Sequence, residues 1–203
     1  MKIVALASGG IDSSVMMLLL EREGHELLPL FIDYGQLARE KEWMACQSVC
    51  QFLGLKPHRM DISGFGKTIP SGITNDKFDV EKDAFLPTRN LLFLTLGAAY
   101  GYVKFASVVA IGLLSNPIFP DQTEKFIQAA QESISASLGV DITILAPSIS
   151  LDKLDTIRLA RKYGLPLDLT YSCHMGEDEP CGKCISCKET IAAERQLMRS
   201  QGE

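Results

Sequence analysis

Apolar positions in this chain fall into short runs separated by helical patterns. Residues 2–7 are an almost unbroken apolar run that stops at Gly9-Gly10, which predicts a buried strand. Asp12 or Ser13 stands where an N-cap belongs, ahead of a helix reaching about Arg22. Leu27 to Ile32 predicts a second strand. Residues 38–53 predict a helix closed by Gly54, and Pro57 to Ile62 a short third strand. From Arg89 to about Val103 almost every position is apolar, so a central helix packed on both sides is expected. Ser107 to Gly112 reads as a buried strand, Thr123 to Leu138 as an amphipathic helix, and Asp141 to Pro147 as another strand. A helix from Asp152 to Tyr163 ends at Gly164.

Residues 63–87 show no such period. They hold three glycines, two prolines and several charges, and read as a long loop or lid. Segments of that length inside a compact domain are functional or disordered. Elsewhere strands and helices alternate, which implies an α/β, doubly wound, mostly parallel sheet with helices on both faces. The last thirty or so residues break the alternation with clustered cysteines and a helix from about Ser186 to Arg199. They predict a small metal-held appendage, 171–203, on a main domain spanning 1–170.

Composition narrows the function classes. The chain has 203 residues, 46% hydrophobic and 22% charged, with a net charge of -5. That supports one sizeable core and weighs against a nucleic-acid binder with a strongly basic surface. No stretch approaches the ~18 apolar residues of a membrane span, and the N-terminal run is too short for a signal peptide. A cytosolic protein with reduced thiols is expected, so the six cysteines do not predict a disulfide scaffold.

Two motifs carry chemistry. Ser8-Gly9-Gly10-Ile11-Asp12-Ser13-Ser14 lies between the first strand and the first helix, where doubly wound sheets bind ligands. Gly9 and Gly10 let an anion approach the backbone, and the helix N-terminus favours negative charge. Ser8, Ser13 and Ser14 add hydroxyl donors. Asp12 makes sense beside phosphates with a magnesium ion between them. A tight turn capped by Asp12 is the plainer reading. The Gly-Lys-Ser/Thr ending of a Walker loop is absent. The second motif is Cys173, Cys181, Cys184 and Cys187, spaced C-x7-C-x2-C-x2-C. Two short knuckles bring thiolates to one point and suit a closed, structural Zn(II) site, with an iron–sulfur cluster as the chemical alternative. His174 adjoins the set. Cys46 and Cys50, one helical turn apart, read as core or surface thiols.

The serine-glycine loop resembles that of N-type ATP pyrophosphatases. Taken with Asp33-Tyr34-Gly35-Gln36, Pro87-Thr88-Arg89-Asn90, Leu151-Asp152-Lys153-Leu154-Asp155, Ser172-Cys173 and Pro180–Cys187, nearly the whole chain resembles the 7-cyano-7-deazaguanine synthase family. The resemblance implies the adenine nucleotide alpha hydrolase type of fold and a homodimer. It also implies an ATP-dependent ligase that turns 7-carboxy-7-deazaguanine into the nitrile with ammonia, through successive adenylations. Ser8, Gly9, Gly10, Asp12, Ser13 and Ser14 would hold the phosphates, Asp12 through Mg(II). Phe31, Asp33, Tyr34 and Gly112 would lie beside the nucleotide. Arg89 and Asn90 would meet the substrate carboxylate or phosphates, and Lys153 a phosphate.

The match departs at one place. Where the family carries an acidic and aromatic stretch ending Ser-Gly-Tyr-Pro-Asp-Cys, this chain reads Leu113 to Gln122, keeping only Pro120-Asp121. Leu37-Ala38-Arg39 is altered as well. Three other readings therefore stay open. They are a relative that joins a deazapurine acid to another amine or stops at the amide, a tRNA-modifying thiolase, and a non-catalytic metal-binding module.

Overall fold

In the computed structural model, which describes residues 1–201, five strands form one all-parallel sheet. The strands are β1 (Lys2–Leu6), β2 (Glu26–Asp33), β3 (His58–Asp61), β4 (Val108–Ala110) and β5 (Thr143–Leu145), in the order β3-β2-β1-β4-β5. The chain winds outward from β1 to β3 on one side, then returns to lay β4 against the other side of β1. The crevice at the carboxyl ends of β1 and β4 is thus the switch point where such sheets bind ligands.

Alternation along β1 divides the core. Ile3, Ala5 and Ala7 face a layer made by α1 (Ile11–Arg22), α2 (Arg39–Phe52) and α6 (Lys153–Lys162). Val4 and Leu6 face α4 (Arg89–Val103) and α5 (Glu124–Leu138) on the other side. α7 (Ile185–Gln201) lies on the outer side of α6, where Ala193 and Leu197 bury Ile157.

The caps follow side-chain chemistry. Thr123 accepts from the Phe126 N–H at the start of α5, and Gly139 closes that helix in the left-handed region. At α6 the Asp152 carboxylate accepts from the Asp155 N–H, and Asp155 reaches back to the Asp152 N–H. At α1 neither Asp12 nor Ser13 is the cap. Gly10 is, without a side-chain bond, because the Ser13 and Ser14 hydroxyls turn back onto the Gly10 carbonyl and Asp12 is drawn to Lys153.

Two expectations change. α4 is packed on one side only. Leu94, Gly97, Ala98 and Gly101 are buried against the sheet, whereas Leu91, Thr95, Ala99 and Tyr102 are exposed. A Cβ at Gly97 would lie 2.9 Å from Val109, so the helix sits closer to the strands than a larger residue would allow. The segment 63–87 is not a bare loop. It contains the short helix α3 (Gly64–Thr68), and Ile73, Ala84 and Leu86 bury themselves against Tyr34. It forms a packed wall beside the switch point. No helix among the described residues is long and apolar enough to cross a membrane.

Candidate active site

The loop after β1 is built to keep its backbone close to its surroundings. Gly9 has φ +80, and a Cβ there would stand 2.4 Å from the Glu42 carbonyl oxygen and 2.6 Å from the Cys46 nitrogen of α2. Only glycine fits. The Ser8 and Ser13 hydroxyls lie 2.9 Å apart, and the Ser8 hydroxyl accepts from the Gly10 N–H at 3.3 Å. Gly112, just past β4, closes the crevice from the other side. A Cβ there would lie 3.0 Å from the Ser13 nitrogen and 3.1 Å from the Asp12 backbone.

Between these loops lies a cavity of about 270 Å³. Of the residues expected at the site, Ser8, Gly10, Asp12, Ser13, Phe31, Tyr34, Arg89, Asn90 and Gly112 line it. Gly9, Ser14 and Asp33 do not. Gly9 supports the loop from behind, and the buried Ser14 hydroxyl donates to the Gly10 carbonyl at 2.8 Å. The Asp33 carboxylate accepts from Arg59 at 2.6 Å and from the Gly35 N–H at 3.1 Å. Lys153 lines a second, adjoining cavity of about 210 Å³ that shares Leu114, Asn116 and Glu189 with the first. Its ammonium, on a side chain 8% exposed, donates to both Asp12 oxygens at 2.6 and 2.7 Å. The ion pair ties the first turn of α1 to the first turn of α6.

A second polar group, built around Arg89 and Asn90, lines the first cavity. Arg89 starts α4 and reaches Asn90 Oδ1 at 3.4 Å. Asn90 is fixed by Asp121, whose carboxylate accepts from the Asn90 N–H at 3.3 Å and whose carbonyl accepts from Asn90 Nδ2 at 2.9 Å. Pro120-Asp121, the surviving piece of the altered stretch, thereby holds the start of α4. Leu114, Ile118 and Phe119 from the same stretch face the cavity. Burial pushes the Tyr34 hydroxyl up to about 12, against the pull of Arg89.

Sequence reading overlooked Glu42 and Glu189. Glu42 lies in the first turn of α2, accepts from Gln36 Nε2 at 2.9 Å and lines the cavity. Burial raises its carboxyl to about 7, with Asp33 adding to the rise and Gln36 and Arg89 opposing it. Glu189 comes from α7, and burial raises it too, beside Lys153 and Asp12. His174 also lines the cavity. Burial, with Arg89 and Lys153 nearby, lowers its imidazole to about 4, so the ring is neutral, and its buried Nδ1 has no partner among the described residues.

The four cysteines do converge. Sγ atoms of Cys173, Cys181, Cys184 and Cys187 all lie within 4.8 Å of one another, and three of the residues are buried. A tetrahedron of ~2.3 Å metal–sulfur bonds has edges of roughly 3.8 Å, so the cluster fits a closed four-thiolate centre with slight tightening. Burial opposes ionisation of Cys181, but N–H groups of Cys184 and Lys183 and neighbouring thiols together lower it. The cluster adjoins the loop directly. The Tyr171 N–H donates to the Gly9 carbonyl at 2.9 Å, and the Ser172 hydroxyl accepts from the Ile11 N–H at 3.3 Å. A metal at Cys173 would fix both contacts.

Comparison with known proteins bears on the family and the fold. The profile of the family described as Queuosine biosynthesis protein QueC matches residues 2–196. A 7-cyano-7-deazaguanine synthase of Nautilia profundicola is 33% identical over 200 residues, 92% of this chain and 90% of the relative. A 7-cyano-7-deazaguanine synthase 2 of Desulfitobacterium hafniense is 36% identical over 199 residues, 92% of this chain and 85% of the relative. Among solved structures, the NH3-dependent NAD synthetase of Campylobacter jejuni superposes with a TM-score of 0.54 at 16% identity, over 98% of this chain and 77% of that one. This last likeness is one of fold.

Proposed function

The chain belongs to the QueC family of queuosine biosynthesis, that of the 7-cyano-7-deazaguanine synthases, and on that premise we propose that it adenylates 7-carboxy-7-deazaguanine with ATP and aminates it with ammonia to the nitrile. The observation that carries this reading is the Ser8–Ser14 loop closing against Gly112 at the switch point, with Arg89 across the same cavity. In it the triphosphate lies against Ser8, Gly10, Ser13 and the amino end of α1. Lys153 and Asp12 stand beside the phosphates; Mg(II) would be held by the Asp12 carboxylate, which would share with it an oxygen now accepting from Lys153, and would supply charge neutralisation there. Arg89 takes the acceptor's carboxylate, placing one of its oxygens toward the α-phosphate. Adenylation joins that oxygen to AMP and releases pyrophosphate, which makes the oxygen a leaving group for attack by nitrogen.

Residues 1–170 carry this chemistry in our reading. Residues 171–203 are the zinc-held segment, of which 202 and 203 lie outside the described residues. Four thiolates, a closed set and a contact to the loop support Zn(II) in a structural role. The family resemblance adds a homodimer and a cytoplasmic location, and the -5 charge supports a small-molecule partner over nucleic acid.

A second reading is favoured by the altered stretch. Leu114, Ile118 and Phe119 line the cavity from the stretch where the family carries its acidic and aromatic run. A relative that joins a deazapurine acid to a different amine would change this wall and keep the loop. Incubation with ATP, Mg(II), 7-carboxy-7-deazaguanine and ammonium, read by mass spectrometry, separates the two. The synthase yields AMP, amide and nitrile. AMP without either nitrogen product refutes it in favour of conjugation, and no AMP refutes both.

A further inference from the structure

The cavity holds three carboxylates, and two are accounted for. Asp12 is bound by Lys153, and Glu189 stands beside that pair. Glu42 lines the same cavity, as does Arg89. The two feel each other's charge, yet no Arg89–Glu42 ion pair forms among the described residues. A cation and an anion thus look into one space without touching, which leaves room for a group between them.

The orientation of Glu42 is determined by its neighbours. Gln36 Oε1 accepts from the Tyr34 N–H at 2.9 Å, so the Gln36 nitrogen is the atom turned toward Glu42 Oε2. The same nitrogen donates to the Ile32 carbonyl at 3.3 Å. One carboxylate oxygen is therefore anchored to the end of β2. The other, Oε1, accepts no hydrogen bond among the described residues. If Glu42 served only to tie α2 to β2, a glutamine would make the same bond to Gln36 without a buried charge.

We propose that Glu42 captures the ammonium ion and acts as the general base that releases ammonia beside the adenylated carboxyl carbon. The proposal rests on the reading above, in which ammonia is the nucleophile and Arg89 holds the acceptor's carboxylate. Charge complementarity then orders the ternary site, with the acceptor's anion at Arg89 and the nucleophile's cation at Glu42. Ammonium gives one proton to Glu42 Oε1. The freed nitrogen lone pair forms the C–N bond, and the C–O bond to AMP breaks with its electron pair on the phosphate oxygen. The surplus proton on nitrogen goes to that departing phosphate. Amide, AMP and protonated Glu42 result, and Glu42 returns its proton to water.

The groups facing Glu42 are Arg89 from α4, Asp33 and Gln36 at the end of β2, Tyr171 beside the loop, and Cys46 on its own helix. Burial outweighs the lowering by Gln36 and Arg89 and brings the carboxyl toward neutrality. A base in that range takes a proton from ammonium more readily than an ordinary carboxylate would.

The test uses the full-length enzyme and Glu42→Gln, which keeps the shape and the Gln36 bond. Pyrophosphate–ATP exchange with 7-carboxy-7-deazaguanine reports adenylation and serves as the internal reference. Amide formation is then compared with ammonium and with hydroxylamine, a nucleophile already neutral at mildly alkaline pH. The expected result is a loss of roughly 10²-fold or more with ammonium, exchange near the wild-type rate, and hydroxamate formation largely retained. Glu42→Asp should recover part of the ammonium rate with a shifted pH profile. Glu42→Gln matching the wild type with ammonium would overturn the proposal. So would a parallel loss with both nucleophiles, which a merely structural role would give. If the wild type adenylates but makes no amide from ammonium, the underlying reading fails instead.

Discussion

Removing the Asp12 carboxylate while leaving Lys153 in place should damage the fold as well as the chemistry. The Lys153 side chain is 8% exposed and its ammonium sits 2.6 and 2.7 Å from the two Asp12 oxygens, whereas Asp12 is 30% exposed. Breaking a buried ion pair from one side typically costs 3–5 kcal/mol, because the remaining charge is stranded. Partial exposure of Asp12 admits water to the ammonium and puts Asp12→Ala near the lower end, about 3 kcal/mol. For a domain of this size that is a fall in Tm of roughly 6–12 °C. Replacing both partners, Asp12→Ala with Lys153→Met, strands no charge and should return stability to within about 1 kcal/mol of the wild type. AMP formation should stay lost in both variants. The assay is a double-mutant cycle by urea unfolding, run beside AMP and pyrophosphate release. If Asp12→Ala leaves stability unchanged, or if the double variant is as unstable as the single, the ammonium does not depend on Asp12 and the reasoning fails. If Asp12→Ala still forms AMP, its place beside the phosphates is refuted.

The other predictions concern the loop and the cysteines. Denaturation with thiol titration should release about one zinc per chain. With the ion at a hundredfold excess over its Kd, its removal should lower stability by about 2.7 kcal/mol, and an equal Tm with and without chelator would refute a structural metal. Gly112→Ala would press a methyl against the Ser13 nitrogen and the Asp12 backbone, at 3.0 and 3.1 Å. It should raise the KM for ATP tenfold or more, about 1.4 kcal/mol of binding, and an unchanged KM would show that the nucleotide lies elsewhere. Thr88 holds a left-handed conformation, φ 61 and ψ 11, just ahead of Arg89. Thr88→Gly should relieve about 1 kcal/mol of strain and raise the urea midpoint, whereas a lower midpoint would mean that the threonine side chain makes a compensating contact.

What the sequence made legible follows from how local each determinant is. β1, the turn at Gly9-Gly10 and α1 are contiguous, so their apolar run, glycines and hydroxyls stand in one string. The cysteine knuckles are readable for the same reason. Glu42 was not legible, since it lies among charged residues in the first turn of α2 and looks like part of a solvated face. It is turned inward because Gly9 lets α2 approach the loop at backbone distance, a contact between distant segments. The engagement of Asp33 by Arg59 was not legible for a related reason. The Asp33 strand ends at the site, but β2–β3 pairing puts Phe31 opposite Arg59, and the guanidinium reaches along the sheet to the carboxylate. Pairing register is a property of two strands and neither one contains it. On α4 the apolar count suggested burial all round, yet the contact surface is set by Gly97, Ala98 and Gly101, residues whose smallness matters more than their hydropathy.

The departure from the family between Leu113 and Gln122 acquires meaning only from its position. Its last three residues do different work. Pro120-Asp121 survives because Asp121 bonds the start of α4 through both backbone and side chain of Asn90, which sets where Arg89 stands. Gln122 keeps the preceding turn closed, since its Oε1 accepts from the Ile118 and Phe119 N–H groups at 2.7 and 2.9 Å. Leu114, Ile118 and Phe119 line the cavity, and Leu114 also lines the adjoining cavity of Lys153. In the proposed function, Ile118 and Phe119 would bear on the acceptor. Phe119 also packs on Phe85 at 5.1 Å, so the wall is shared with the 63–87 segment. Substituting Phe119 should therefore shift the KM for the acceptor while ATP binding holds, and an equal loss for both substrates would mean that the cavity is not divided in this way.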